Sequence, residues 1–152
     1  MRKRVLLAFT LIFLLINSCG NSDKKEIEEL LSRRQRAFET KNLELYLSCV
    51  APDYNQKKGD EVIDIEHIKK NFLSNVSIFD QIRITQSDRT IYPNGDKAEV
   101  VQKIAVEVQI EKNQSRFQVK EKIGFEKIKG KWLIVKESDA DFLEGFVFGG
   151  NM

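Results

Sequence analysis

The segment Ala98-Glu99-Val100-Val101-Gln102-Lys103-Ile104-Ala105-Val106-Glu107-Val108-Gln109-Ile110 decides the fold. Ala98, Val100, Gln102, Ile104, Val106, Val108 and Ile110 fall on one face, while Glu99, Lys103, Glu107 and Gln109 fall on the other. A period of two with one apolar and one charged face is the pattern of an antiparallel strand wetted on one side. The next stretch repeats it, with Phe117, Val119, Ile123 and Phe125 opposite Arg116, Gln118, Lys120 and Lys122. Phe79 to Ser138 therefore reads as a four-stranded antiparallel meander. Pro93-Asn94-Gly95-Asp96 predicts its first turn, because Asn-Gly readily adopts positive φ. Asn113-Gln114 predicts the second turn and Lys129-Gly130-Lys131 the third.

Upstream the period changes to that of helices. Ile27, Leu30, Leu31, Ala37 and Phe38 make an apolar stripe that ends near Thr40, with Asp23 and Glu26 spaced like a capping box at its start. Asn42 is placed to cap a short second helix carrying Leu43, Tyr46, Leu47 and Val50. A loop or a short strand around Tyr54 follows. Glu61 to Val76 reads as a third helix, with Val62, Ile65, Phe72, Leu73 and Val76 on its apolar side. Helices followed by a twisted antiparallel sheet make an α+β domain.

The first residues carry an address. Arg2, Lys3 and Arg4 precede an apolar run from Val5 to Ile16 broken only by Thr10, which is the layout of a secretory signal and too short for a permanent span. Ile16-Asn17-Ser18-Cys19 resembles the lipobox of bacterial lipoproteins. That resemblance implies cleavage after residue 18, lipidation of Cys19 and a membrane anchor. It also implies, with Gly20 where an inner-membrane retention signal would place aspartate, the periplasmic side of the outer membrane in a Gram-negative host. The expected organisation is a signal at 1–18, lipidated Cys19 with a polar tether at 19–25, one α+β domain at 26–138 and a tail at 139–152.

Composition fits one compact domain: 152 residues, 41% hydrophobic and 32% charged. Loss of the three leading basic residues takes the formal charge from +2 to −1. No basic patch then remains to attract nucleic acid. With Cys19 lipidated, Cys49 is alone, so no internal disulfide is available, and its apolar neighbours predict a buried thiol.

Over residues 24–138 the chain resembles the nuclear transport factor 2-like, or cystatin-like, superfamily. The resemblance rests on Ala37-Phe38, Lys41-Asn42-Leu43 through Tyr46, Pro52-Asp53-Tyr54, Gly95-Asp96-Lys97-Ala98-Glu99-Val100, and Phe125-Glu126-Lys127 leading to Gly130-Lys131-Trp132-Leu133-Ile134. It implies a curved sheet wrapped around the first helix as a cone with a cavity, in a family holding isomerases, dehydratases and binding domains. Asp88, Gln102 and Glu121 keep step with the inward apolar residues, and Tyr46 and Tyr54 are expected near the rim; these five form the candidate ligand site. Glu121 is the weak candidate for a general base, since an apolar cavity raises a carboxylate's pKa. No acid–base pair is evident, so the expected function is binding of a small apolar ligand or of a protein, either an envelope partner or a second copy. A cavity enzyme of the isomerase or dehydratase type is the alternative. His67, the lone histidine, reads as a surface residue, and neither a metal nor a cofactor is expected. Phe142, Phe146 and Phe148 make the tail apolar enough to suggest docking.

Overall fold

The computed structural model describes the backbone of residues 2–138 and the side chains of residues 21–138. Its elements are α1 (Arg2–Glu39), α2 (Leu43–Leu47), β1 (Asn55–Lys58), β2 (Glu61–Asp64), α3 (Ile65–Ser77), β3 (Gln81–Asn94), β4 (Lys97–Ile110), β5 (Asn113–Ile128) and β6 (Lys131–Glu137). The last four form one antiparallel sheet in the order β3-β4-β5-β6, and β1 and β2 form a separate hairpin. The meander and the α+β order are as the sequence implies.

α1 lies on the apolar face of the sheet. Ile27, Leu30, Leu31, Ala37 and Phe38 are buried there against Val100, Ile104, Val106, Ile123, Phe125 and Ile134. Part of each sheet edge is capped, which leaves fewer unpaired backbone groups exposed for aggregation. On β3, the backbone N–H of Ile84 donates to Glu39 (2.8 Å) and its carbonyl accepts from Gln35 (2.8 Å). On β6, Ile134 N–H donates to the Cys49 carbonyl (2.8 Å), and Ala51 N–H donates back to Ile134 (2.9 Å). Cys49 is fully buried, as its neighbours imply.

Several local expectations are corrected. Asn21 to Lys25, read as a tether, belongs to α1. Asp23 is therefore no helix cap; it accepts from Lys127 Nζ (2.7 Å) and Trp132 Nε1 (3.1 Å), which fastens the middle of α1 to the β5–β6 hairpin. The Lys127 ammonium holds the Asp23 carboxyl below its usual value. Glu61 to Asp64 is strand and not helix, because Gly59 at φ +63° turns the chain back on β1. Asp64 then caps α3, accepting from His67 N–H at 2.8 Å. The buried side of α3 is accordingly Ile68, Phe72 and Val76, while Val62 and Leu73 are exposed and Ile63 is buried.

The first two sheet turns are also displaced by one or two residues. Asn94 pairs with Lys97, so the loop is Gly95-Asp96; Gly95, at φ +60°, takes the first loop position. Ile110 pairs with Asn113, so the second loop is Glu111-Lys112 and not Asn113-Gln114. The third loop is Lys129-Gly130, with both residues at positive φ as a type I′ turn demands. The apolar tail with Phe142, Phe146 and Phe148 lies outside the described residues.

Candidate functional site

One rung of the sheet organises the interior of the cone. Gln102 and Glu121 are direct partners across β4 and β5, and Arg89 is the partner of Gln102 on β3. Their side chains join along that rung. Arg89 Nε donates to Gln102 Oε1 at 2.8 Å, and Gln102 Nε2 donates to Glu121 Oε2 at 2.7 Å. From α1, Arg34 Nη2 donates to the other Glu121 oxygen at 3.0 Å, and Arg34 Nε donates to Glu137 Oε1 at 3.0 Å. Tyr46 O–H donates to Glu137 Oε2 at 3.1 Å. Gln56 accepts from the Glu137 backbone N–H (2.9 Å) and from Tyr54 O–H (2.6 Å), and its own amide donates to the Glu137 carbonyl (2.8 Å).

Almost all of this is out of water. Arg34, Gln102, Glu121 and Glu137 are each no more than 4% exposed, and Tyr46 and Tyr54 are as deep. Arg89, half-buried, is the member nearest solvent. Burial disfavours a charged guanidinium, but the carboxylates of Glu121 and Glu137 outweigh that and hold Arg34 firmly protonated. Burial and the Glu137 charge push the Tyr46 phenol well above its usual range, so it stays a neutral donor. Arg34 also lies over the Phe38 ring at 5.2 Å, and Tyr46 stacks on Phe72 at 5.0 Å, which fixes both groups in place.

The five expected ligand residues fare differently. Gln102 and Glu121 do face inward and touch each other. Tyr46 and Tyr54 are not at a rim; they are interior donors. Asp88 points outward and is exposed. The reason is a bulge: Gln86 pairs with Ile104 but Asp88 with Lys103, so Ser87 is an extra residue in β3. One inserted residue exchanges the two faces, sending Asp88 out and Arg89 in.

Arg34 and Glu137 are the members that the sequence reading missed. Arg34 had a signal, since it lies seven residues after Ile27 and four after Leu30, on the apolar stripe itself. Glu137 had none. Phe125 pairs with Ile134 but Ile123 with Glu137, so Val135 is a second extra residue and turns Glu137 inward against the alternation. Elsewhere, His67 is partly exposed with Nδ1 3.6 Å from a Glu61 oxygen. Burial raises the Cys49 thiol despite the nearby charges of Arg33 and Arg34, which leaves it a neutral thiol. Among the described residues no group of histidine, cysteine and carboxylate side chains could hold a metal ion.

A helix-lined cone on this sheet order has many solved counterparts. A protein of unknown function with a cystatin-like fold from Nostoc punctiforme superposes with a TM-score of 0.64 at 24% identity, covering 76% of this chain and 87% of that one. A nuclear transport factor 2-like superfamily protein from Salmonella enterica serovar Typhimurium gives 0.68 at 16% identity, covering 78% and 89%. The fold is the nuclear transport factor 2-like, cystatin-like cone. A suspected dehydratase of the nuclear transport factor 2-like family from Streptomyces avermitilis shares this cone, with a TM-score of 0.67 at 12% identity over 77% and 94% of the two chains. No family model matches the chain, and no curated protein matches it in sequence. The nuclear transport factor 2-like fold hosts unrelated activities, so function has to be argued from the side chains.

Proposed function

We propose that this protein is a lipid-anchored domain of the bacterial envelope that binds a partner or small ligand and does not catalyse a reaction. The single observation behind the non-catalytic reading is the engagement of Glu121. A general base needs a carboxylate oxygen able to reach a substrate proton. Here Arg34 and Gln102 take one Glu121 oxygen each, at 3.0 and 2.7 Å, in a buried cluster that holds its own counter-charges. Such a cluster holds the first helix to β5 and β6. The anchor half of the proposal rests on the lipobox resemblance at Ile16 to Cys19, and it places the domain on the periplasmic face of the outer membrane in a Gram-negative host.

Two measurements test the two halves. Metabolic labelling with an alkyne fatty acid should mark the protein, and Cys19→Ala should remove the label; a labelled mutant sinks the anchor. Glu121→Gln should lower the thermal midpoint, because a buried guanidinium loses half of its counter-charge. Catalytic carboxylates behave oppositely, since sites held strained for function often gain stability when neutralised. An unchanged or raised midpoint would therefore favour the cavity-enzyme alternative.

A further inference from the structure

Arg33 stands next to Arg34 in α1, but one residue is about 100° of helix rotation. Arg34 enters the cone, and Arg33 leaves it for a cleft of about 400 Å³ between α1, the residue after α2 and the β5–β6 hairpin. Small-molecule sites run from about 300 to 1,000 Å³. Glu26, Glu29, Arg33, Lys131, Trp132 and Leu133 are among the residues lining it.

The Nε of Arg33 is buried there without a hydrogen-bond partner among the described residues. A desolvated donor left unsatisfied is unfavourable, and buried polar groups are nearly always bonded to something. Among the described residues no side chain or backbone oxygen accepts from that Nε. Glu29, one turn earlier and within reach on the helix surface, leans towards Lys25 at 3.9 Å. Cys49 hydrogen-bonds the Arg33 side chain, but burial raises its thiol and keeps it neutral, so it is a weak acceptor and leaves the Nε unsatisfied. Lys131, exposed at the start of β6, adds a second cation with no ion pair among the described residues.

Charge balance then selects the ligand. An anion alone would meet Arg33 and Lys131 but also Glu26 and Glu29, and a bare cation faces the reverse conflict. A molecule with both signs satisfies all four groups, and Trp132 and Leu133 give it an apolar wall. We propose that this cleft binds a small zwitterion of amino-acid or dipeptide kind, with its carboxylate towards Arg33 and Lys131 and its ammonium towards Glu26 and Glu29. The site deepens the binding reading of the domain and does not depend on the lipid anchor.

Trp132 is the only tryptophan in the chain, so its fluorescence reports on this cleft directly. The full-length chain in detergent micelles would be titrated with leucylalanine, its C-terminal amide and its N-acetyl derivative. A saturable change is expected with the free dipeptide. Affinity should fall by about tenfold or more for either blocked form, as for loss of a charge-assisted hydrogen bond. Arg33→Met should lose as much. Lys131→Ala, at the exposed first position of β6 where it does not threaten folding, should lose several-fold. The proposal is overturned if no dipeptide saturates the signal, if a blocked form binds as well as the free one, or if both variants bind like the parent chain. That failure would leave the labelling and Glu121 results standing, so the two readings fail separately.

Discussion

The inside and the outside of the same sheet both carry ion pairs, and the two sets do different things. On the outer face, Lys122 meets Glu99 at 2.8 Å, Lys97 meets Glu126 at 3.0 Å and Arg116 meets Glu107 at 3.5 Å. Each links neighbouring strands and each is largely in water: the Lys122 and Glu99 side chains are 61% and 45% exposed. On the inner face, Arg34 meets Glu121 and Glu137 at the same 3.0 Å, with every side chain no more than 4% exposed. Distance does not separate the two sets. Solvent does, because water screens the outer pairs and is absent from the inner ones. An inner partner therefore cannot be removed without stranding a charge, whereas an outer one is simply rehydrated.

The largest effect should come from Arg34→Met. It leaves Glu121 and Glu137 facing each other without their shared cation, and breaking one partner of a buried pair typically costs about 3–5 kcal/mol. Denaturant unfolding would measure it. A loss under about 1 kcal/mol, the range of surface pairs, would mean that water reaches the cone and that the inner and outer pairs are alike. At the other extreme, Lys122→Ala should change stability by less than about 1 kcal/mol, and the small difference should shrink further in high salt. A loss as large as that of Arg34→Met would erase the contrast from the other side. The two substitutions have no shared partner, so the double variant should show nearly additive losses.

The same contrast explains what was legible in the sequence. Strand alternation is a local property of the chain, and it identified the sheet, the inward faces of β4 and β5, and with them Gln102 and Glu121. The apolar stripe likewise identified the inner side of α1, and Arg34 sat on that stripe as a charge at a core position. Such a residue is ambiguous by itself, since its partners come from strands 87 and 103 residues away. Tyr46 and Tyr54 were visible as candidates but not as interior donors, because their depth depends on the packing of α3 and the β1–β2 hairpin over them. The candidate site was thus half readable: its inward sheet residues were, and its charge partners were not.

By itself the sequence determined the order of elements, the antiparallel meander and the apolar face of α1, since each of these depends on residues close together in the chain. Only the tertiary structure decided which charges are inside. Ser87 in β3 and Val135 in β6 are extra residues in their pairings, and each exchanges inside for outside beyond it, turning Arg89 and Glu137 in and Asp88 out. The physical reason is that a side chain's face follows from the register of strand pairing. Register is settled by the whole sheet packing on its helix, and no local spacing records it.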